Sequence, residues 1–293
     1  MTKDIRQLAR DYVNKRNLIF GVLSGVVLFM AYSPLRELLR STTQSEYYSH
    51  IILIPVVSIF FFYLNRKEIF SNSKYSYGPG GALFAIGIAL YFLGMSQRGE
   101  WSPNDTTAIN TFSTLIFWTG AFILCFGIKA FRKAMFPILF LIFMIPIPEV
   151  LMYEIIYFLQ VGSAEFAHLL FLVTGIPFAR EGFVFHLPGM TIEVAHQCSG
   201  IRSSLGLLIT GILAGYLFLK AGWRRVILAL FVFPITVFKN SIRIVTLSAL
   251  GVYVDERFIT QSFLHRSGGF LFYIPALLLL GIVLWWLRRS EQR

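Results

Sequence analysis

Cysteine and charge are what this sequence has least of. Two cysteines, Cys125 and Cys198, in 293 residues do not make a disulfide framework, and without a CxxC pair a cysteine-built metal site is not indicated either. Charged residues are only 14% of the chain, with 15 acidic against 26 basic, too few to cover the surface of a soluble protein of this length. No internal repeat or low-complexity linker stands out, and nothing marks a second, soluble domain.

The chain is filled instead by apolar residues: 56% hydrophobic and 16% aromatic, with a mean hydropathy of +0.67. That composition reads as an all-α polytopic membrane protein. A net charge of +11 would suggest nucleic acid if it gathered on one face. The basic residues instead fall in short clusters between apolar runs, as topology signals do, so the partner they imply is membrane lipid and no nucleic acid is expected. Apolar runs of roughly the bilayer-spanning length place about eight transmembrane helices, at 17–35, 50–65, 79–96, 109–128, 134–151, 199–219, 225–250 and 269–287. The basic N-terminus at 1–16 reads as the cytoplasmic flank of a retained signal anchor. The clusters NRKEIF, KAFRK, KAGWRR and RRSEQR belong on the cytoplasmic side by the positive-inside rule, and both termini with them. The whole of 1–293 reads as one integral-membrane domain with an external insert at about 152–198.

Within that insert, 152–175 is long enough to span, but a ninth crossing would send Lys220, Arg224, Arg225, Arg288 and Arg289 outside. Glu154, Tyr157, Glu165 and His168 share one helix face, so the segment reads as an amphipathic helix at the outer interface. A tilted span hiding that stripe in a bundle is the alternative. Beyond it, Phe183, Phe185 and Leu187 alternate, as do Ile192 and Val194 after Pro188–Gly189, which predicts a short external β-hairpin around a type II turn.

The hairpin leads to AHQCSGIRSS. Cys198 falls in the first turn of the sixth helix, where unsatisfied N–H groups and the positive helix end favour an anion. Arg202, at i+4, adds positive potential beside the thiol. Cys125, mid-span without polar company, reads as a small hydrophobe. Farther on, Lys239, Asn240 and Arg243 interrupt an apolar helix, and ionisable residues there are candidates for function by default, with Arg243 snorkelling to the interface or an Asn240–Arg243 structural polar lock as the alternative. His265, just before the last span, can exchange protons near neutral pH. Alone it is unspecific, since His50, His186 and His196 face outward too. A thiolate, a guanidinium and an imidazole at one membrane face are the equipment of acyl transfer.

The blocks YYSHIILIP (47–55), PIP (146–148), GIPFAREG with LPG, CSGIRSS (198–204), NSIRI (240–244) and HRSGG (265–269), in this order, resemble the exosortase/archaeosortase family of membrane-embedded cysteine transpeptidases. The resemblance implies that Cys198 is the nucleophile, Arg243 the stabilising cation and His265 the acid/base partner, with Ser199, Gly200, Arg202 and Asn240 in support. It implies a protease/transpeptidase that cleaves a C-terminal sorting signal (short motif, transmembrane helix, basic cluster) of exported, membrane-tethered proteins through a thioester. The new C-terminus would pass to an acceptor nucleophile whose identity the sequence does not give. His265, where archaeal relatives tend to carry Arg, leans towards a bacterial exosortase of the inner membrane with its active site on the periplasmic face. HisGln before the Cys departs from the Ala common there and touches subtype more than chemistry. No metal or organic cofactor is called for. A transporter using Arg243 for an anionic solute and a non-catalytic component of exopolysaccharide export are the competing readings.

Overall fold

The computed structural model describes residues 15–44, 48, 50–71, 73–196, 199–255 and 263–292, and of 41–44 and 263–270 only the backbone. The chain forms two compact units, Met1–Glu149 and Val150–Arg293. In the first, α1 (Lys15–Met30) and α2 (Tyr32–Gln44) are followed by α3 (Leu53–Leu64), α4 (Arg66–Phe70), α5 (Tyr77–Ser96), α6 (Pro103–Lys133) and α7 (Met135–Phe140), which continues as a 3-10 turn, Leu141–Met144. The second unit contains α8 (Glu149–Thr174), the strands β1 (Ala179–Glu181), β2 (Val184–Leu187) and β3 (Met190–Glu193), then α9 (Ile201–Phe218), α10 (Gly222–Tyr253) and α11 (Phe263–Gln292).

Among the described residues, six helices are long and apolar enough to cross a membrane, and a seventh span results if α1 and α2, bent by 55°, count as one. Two of the expected spans are shorter. Helix α3 has 12 residues, about 18 Å of rise against a hydrocarbon core of about 30 Å. The run expected at 134–151 gives a helix of 6 residues before Pro146 and Pro148, lacking N–H groups, keep the chain extended. Hydrogen bonds nonetheless show that both stretches carry the chain from one end of the first unit to the other. At one end Arg16 donates to the Ser73 carbonyl at 3.0 Å, and Lys133 Nζ to the Glu68 carbonyl at 3.0 Å. At the opposite end Tyr48 donates to Asn104 Oδ1 at 2.7 Å, and Asn104 Nδ2 to the Ile147 carbonyl at 2.8 Å.

Helices α5 and α6 pack backbone to backbone. A Cβ on Gly80, Gly87 or Gly120 would come within 2.4–2.5 Å of the facing main chain, so only glycine permits this approach. At Gly127, φ 87°, α6 breaks; the carbonyls of Leu124 and Phe126 there accept from the N–H groups of Ser76 and Lys74 at 3.2 and 3.3 Å. Cys125 is fully buried in a cluster with Ile69, Phe122, Phe126 and Ile138, as a small hydrophobe would be.

In the second unit α8 is one unbroken helix of 26 residues and is itself one of the candidate spans, where the sequence suggested an interfacial helix at 152–175. It runs parallel to α10: Phe158 meets Phe233, Gly162 meets Val237, and Phe166 meets Phe238. The polar stripe that prompted the interfacial reading seats the sheet instead. Glu165 pairs with Arg180 at 2.7 Å, His168 lies edge-on to Phe178, and Tyr157 edge-on to Phe183. The expected hairpin is present, with β2 antiparallel to β3 in the register Leu187↔Met190 and Gly189 at φ 78°. A third strand, β1, pairs along the other edge of β2. Phe185, Leu187 and Val194 are buried against Phe171 and Val245. A separate apolar cluster joins α9, α10 and α11 through Leu207, Leu228, Val232, Ala276 and Leu280. At the far end of these three helices the Glu291 carboxylate accepts from the N–H of Ala221 at 2.7 Å and pairs with Arg224 at 3.5 Å, an anion placed at the N-terminus of α10 where the helix dipole favours it.

Candidate active site

Along α10, the two apolar clusters of the second unit are separated by three consecutive buried polar residues, Lys239, Asn240 and Ser241. Between them they reach one residue on each of two neighbouring helices. Lys239 Nζ donates to Ser203 Oγ on α9. Asn240 Nδ2 donates to Ser163 Oγ on α8 at 3.0 Å, and Ser241 Oγ to the Ser163 carbonyl at 2.9 Å. One turn earlier on α8, buried Gln160 donates through Nε2 to the carbonyl of Val194, just after β3. A polar belt thus ties α8, α9 and α10 together with the chain leading out of the sheet. Buried polar groups persist where they are mutually hydrogen-bonded.

The start of α9 sits on this belt. Gly200 is its N-cap residue, in the left-handed conformation at φ 78° and ψ 12°, and a Cβ there would lie 3.4 Å from Asn240 Cγ and Oδ1. The Gly200 carbonyl accepts from Ser204 N at 3.0 Å, Ser203 Oγ at 2.8 Å and Ser204 Oγ at 2.9 Å, which binds the first turn together. Ser199 is fully buried, its N–H donating to the His196 carbonyl at 3.2 Å.

Of the residues singled out in the sequence, Gly200 and Asn240 are brought into contact, with Ser199 beside them. Arg243 is half-buried on α10, one turn beyond Lys239 and Asn240, and Arg202 is exposed on the first turn of α9. Cys198 lies outside the described residues, between His196 and Ser199, and the His265 side chain lies outside them too, although its backbone belongs to the first turn of α11. Gln160, Ser163 and Ser203 were not anticipated. Gln160 and Ser163 stand at i and i+3 on α8, Gln160 flanking the stripe beside Tyr157 and Ser163 turned away from it, a spacing that marks a buried polar face only once its partners are known.

Helices of spanning length, exposed apolar side chains such as Leu172, Val173 and Trp286, and a buried polar belt at the head of an internal helix define a polytopic helical membrane protein with an internal polar site. Residues 41–282 match the family described as transmembrane exosortase (Exosortase_EpsH). With most of its length matched, the chain belongs to that family. No curated protein and no solved structure matches it.

Proposed function

We propose that this protein is a membrane-embedded cysteine transpeptidase that cleaves a C-terminal sorting signal from exported, membrane-tethered proteins. The observation that carries the reading is the family match over residues 41–282, which encloses Cys198, Arg243 and His265. The Cys198 thiolate attacks the carbonyl of the scissile bond, and the resulting oxyanion is stabilised by the Arg243 guanidinium. Collapse breaks the C–N bond as protonated His265 gives its proton to the leaving amine, leaving a thioester on Cys198. An acceptor nucleophile, losing its proton to His265, then takes the acyl group and frees the thiol. The client's tail would enter between helices as a transmembrane segment with its basic end cytoplasmic.

The charge of the second unit, taken by itself, supports the sidedness of this scheme. Lys220, Arg224, Arg225, Arg288 and Arg289 lie where α9 ends, α10 begins and α11 ends, and the Gly200 turn is at the opposite end of α9. Within the second unit the positive-inside rule makes this basic end cytoplasmic, in a bacterial inner membrane, with the active site facing the periplasm. With the clusters at 65–70 and 129–133 counted too, a spanning α8 puts the two sets of basic residues on opposite sides, so the rule supports this sidedness for the second unit alone.

The test is processing of a reporter that carries such a tail, in cells or in proteoliposomes. Cys198→Ala, Arg243→Ala and His265→Ala are each expected to lower processing by at least about a thousandfold, and double variants to lose little more, because groups acting on one transition state are non-additive. A transporter would depend on Arg243 alone, so processing that survives Cys198→Ala and His265→Ala rejects the proposal.

A further inference from the structure

We infer that Lys239 is a positioning residue of this site: its ammonium, acting through the Ser203 hydroxyl, sets the first turn of α9 and gives that turn a fixed positive charge. The inference rests on the reading of Cys198, two residues before Gly200, as the nucleophile.

Lys239 is only 6% exposed, and an ammonium buried in a helix of spanning length is costly unless something anionic or strongly polar meets it. Among the described residues no carboxylate lies within ion-pair distance of it; its partner is the neutral Ser203 hydroxyl. Two further positive sources stand close by. Arg243 follows at i+4 on α10, a spacing at which like charges repel. The N-terminus of α9, to which Ser203 belongs, carries the positive end of the helix dipole. The Lys239 ammonium and the positive end of the α9 dipole therefore converge on the first turn of α9, where an anion formed in the course of the reaction, a thiolate or a tetrahedral oxyanion, is stabilised.

The relay through Ser203 gives this charge a mechanical role as well. Ser203 Oγ accepts from Lys239 and donates to the Gly200 carbonyl at 2.8 Å. Lys239 thereby fixes the rotation of the turn from which the chain runs back to residue 198. On the other side, Gln160 fixes the same connection at Val194. The Asn240 side chain faces Gly200, while its Nδ2 bonds Ser163. Neighbouring residues of α10 so divide the work, one orienting α9 and the next orienting α8.

The experiment uses full-length protein, with rates expressed per monodisperse protein and a tail-bearing reporter as substrate. Lys239→Gln should lower kcat about ten- to a hundredfold with KM unchanged within about twofold, because it removes an interaction that matters in the transition state. In a Cys125→Ser background it should also slow maleimide labelling of Cys198. Lys239→Arg, which keeps the charge, should recover much of both. Should Lys239→Gln fail to fold, Ser203→Ala keeps the ammonium and removes the link; it should lower kcat several-fold, with Ser203→Thr restoring it. Cys198→Ala is measured alongside. If it still processes the reporter, the transpeptidase reading fails and this inference with it. If it is inactive while Lys239→Gln, or Ser203→Ala in its place, matches wild type in kcat and labelling, only the role of Lys239 is overturned.

Discussion

At φ 78° and ψ 12° Gly200 holds a backbone conformation that costs a residue with a Cβ about 1–2 kcal/mol. An alanine there would add contact with Asn240 at 3.4 Å, distance enough for ordinary packing with slight adjustment. Gly200→Ala is therefore expected to destabilise the protein by about 1–2 kcal/mol through the backbone, read as a lower melting temperature in detergent. Processing should fall by more than that loss of folded protein explains, since the strain falls on the turn that follows Cys198. An unchanged rate per folded molecule would show that the conformation of this turn does not matter to the chemistry. The sequence made Gly200 a suspect by its place in CSGIRSS, but not for this reason. Its left-handed N-cap, and its contact with Asn240 from a different helix forty residues later, came only with the fold.

Among the helices, α5 and α6 show most directly how residue choice sets packing. Gly80 and Gly87 on α5 and Gly120 on α6 each allow the facing backbone to approach so closely that a Cβ would collide with main-chain atoms. Rigid backbone cannot yield as a flexible side chain would, so Gly87→Val must push the two helices apart, at an expected cost near the top of the overpacking range, about 3 kcal/mol. Gly81→Ala on the same helix meets nothing within 4 Å and is expected to be neutral or to stabilise by up to about 1 kcal/mol. Comparing the melting temperatures of the two variants checks this; equal losses would contradict the packing. The positions of α5, α6, α9, α10 and α11 were legible from apolar run length alone, because that length is what a bilayer selects. The interruption of the run at 134–151 by Pro146 and Pro148 was visible, but its consequence was not: a run that is apolar throughout does not reveal that its backbone turns from helix to 3-10 to extended. The stripe on α8 was read correctly as a shared face and assigned to the wrong neighbour. Arg180, Phe178 and Phe183, which cover it, lie in the strands that follow and in the segments flanking them, and periodicity within a helix carries no information about them.

For the molecule as a whole, exposed apolar side chains and helices of spanning length fit a chain held in a membrane. In the second unit the five basic residues gather at the α9–α10–α11 end, and the Gly200 turn stands at the other end of α9. The belt was the part least legible beforehand, because Gln160 with Val194 and Asn240 with Ser163 are long-range pairs, separated by 34 and 77 residues. The family blocks drew attention to α9 and α10; the contribution of α8 came only with the fold. The account turns on Cys198 becoming acylated. The most direct measurement is to mix the purified protein with a tail-bearing client, quench under non-reducing denaturing conditions, and map any covalent adduct by mass spectrometry. The account predicts a hydroxylamine-sensitive thioester between Cys198 and the client's new C-terminus, absent in Cys198→Ala. Cleavage of the client at an undiminished rate by Cys198→Ala, or an adduct on another residue, would contradict it.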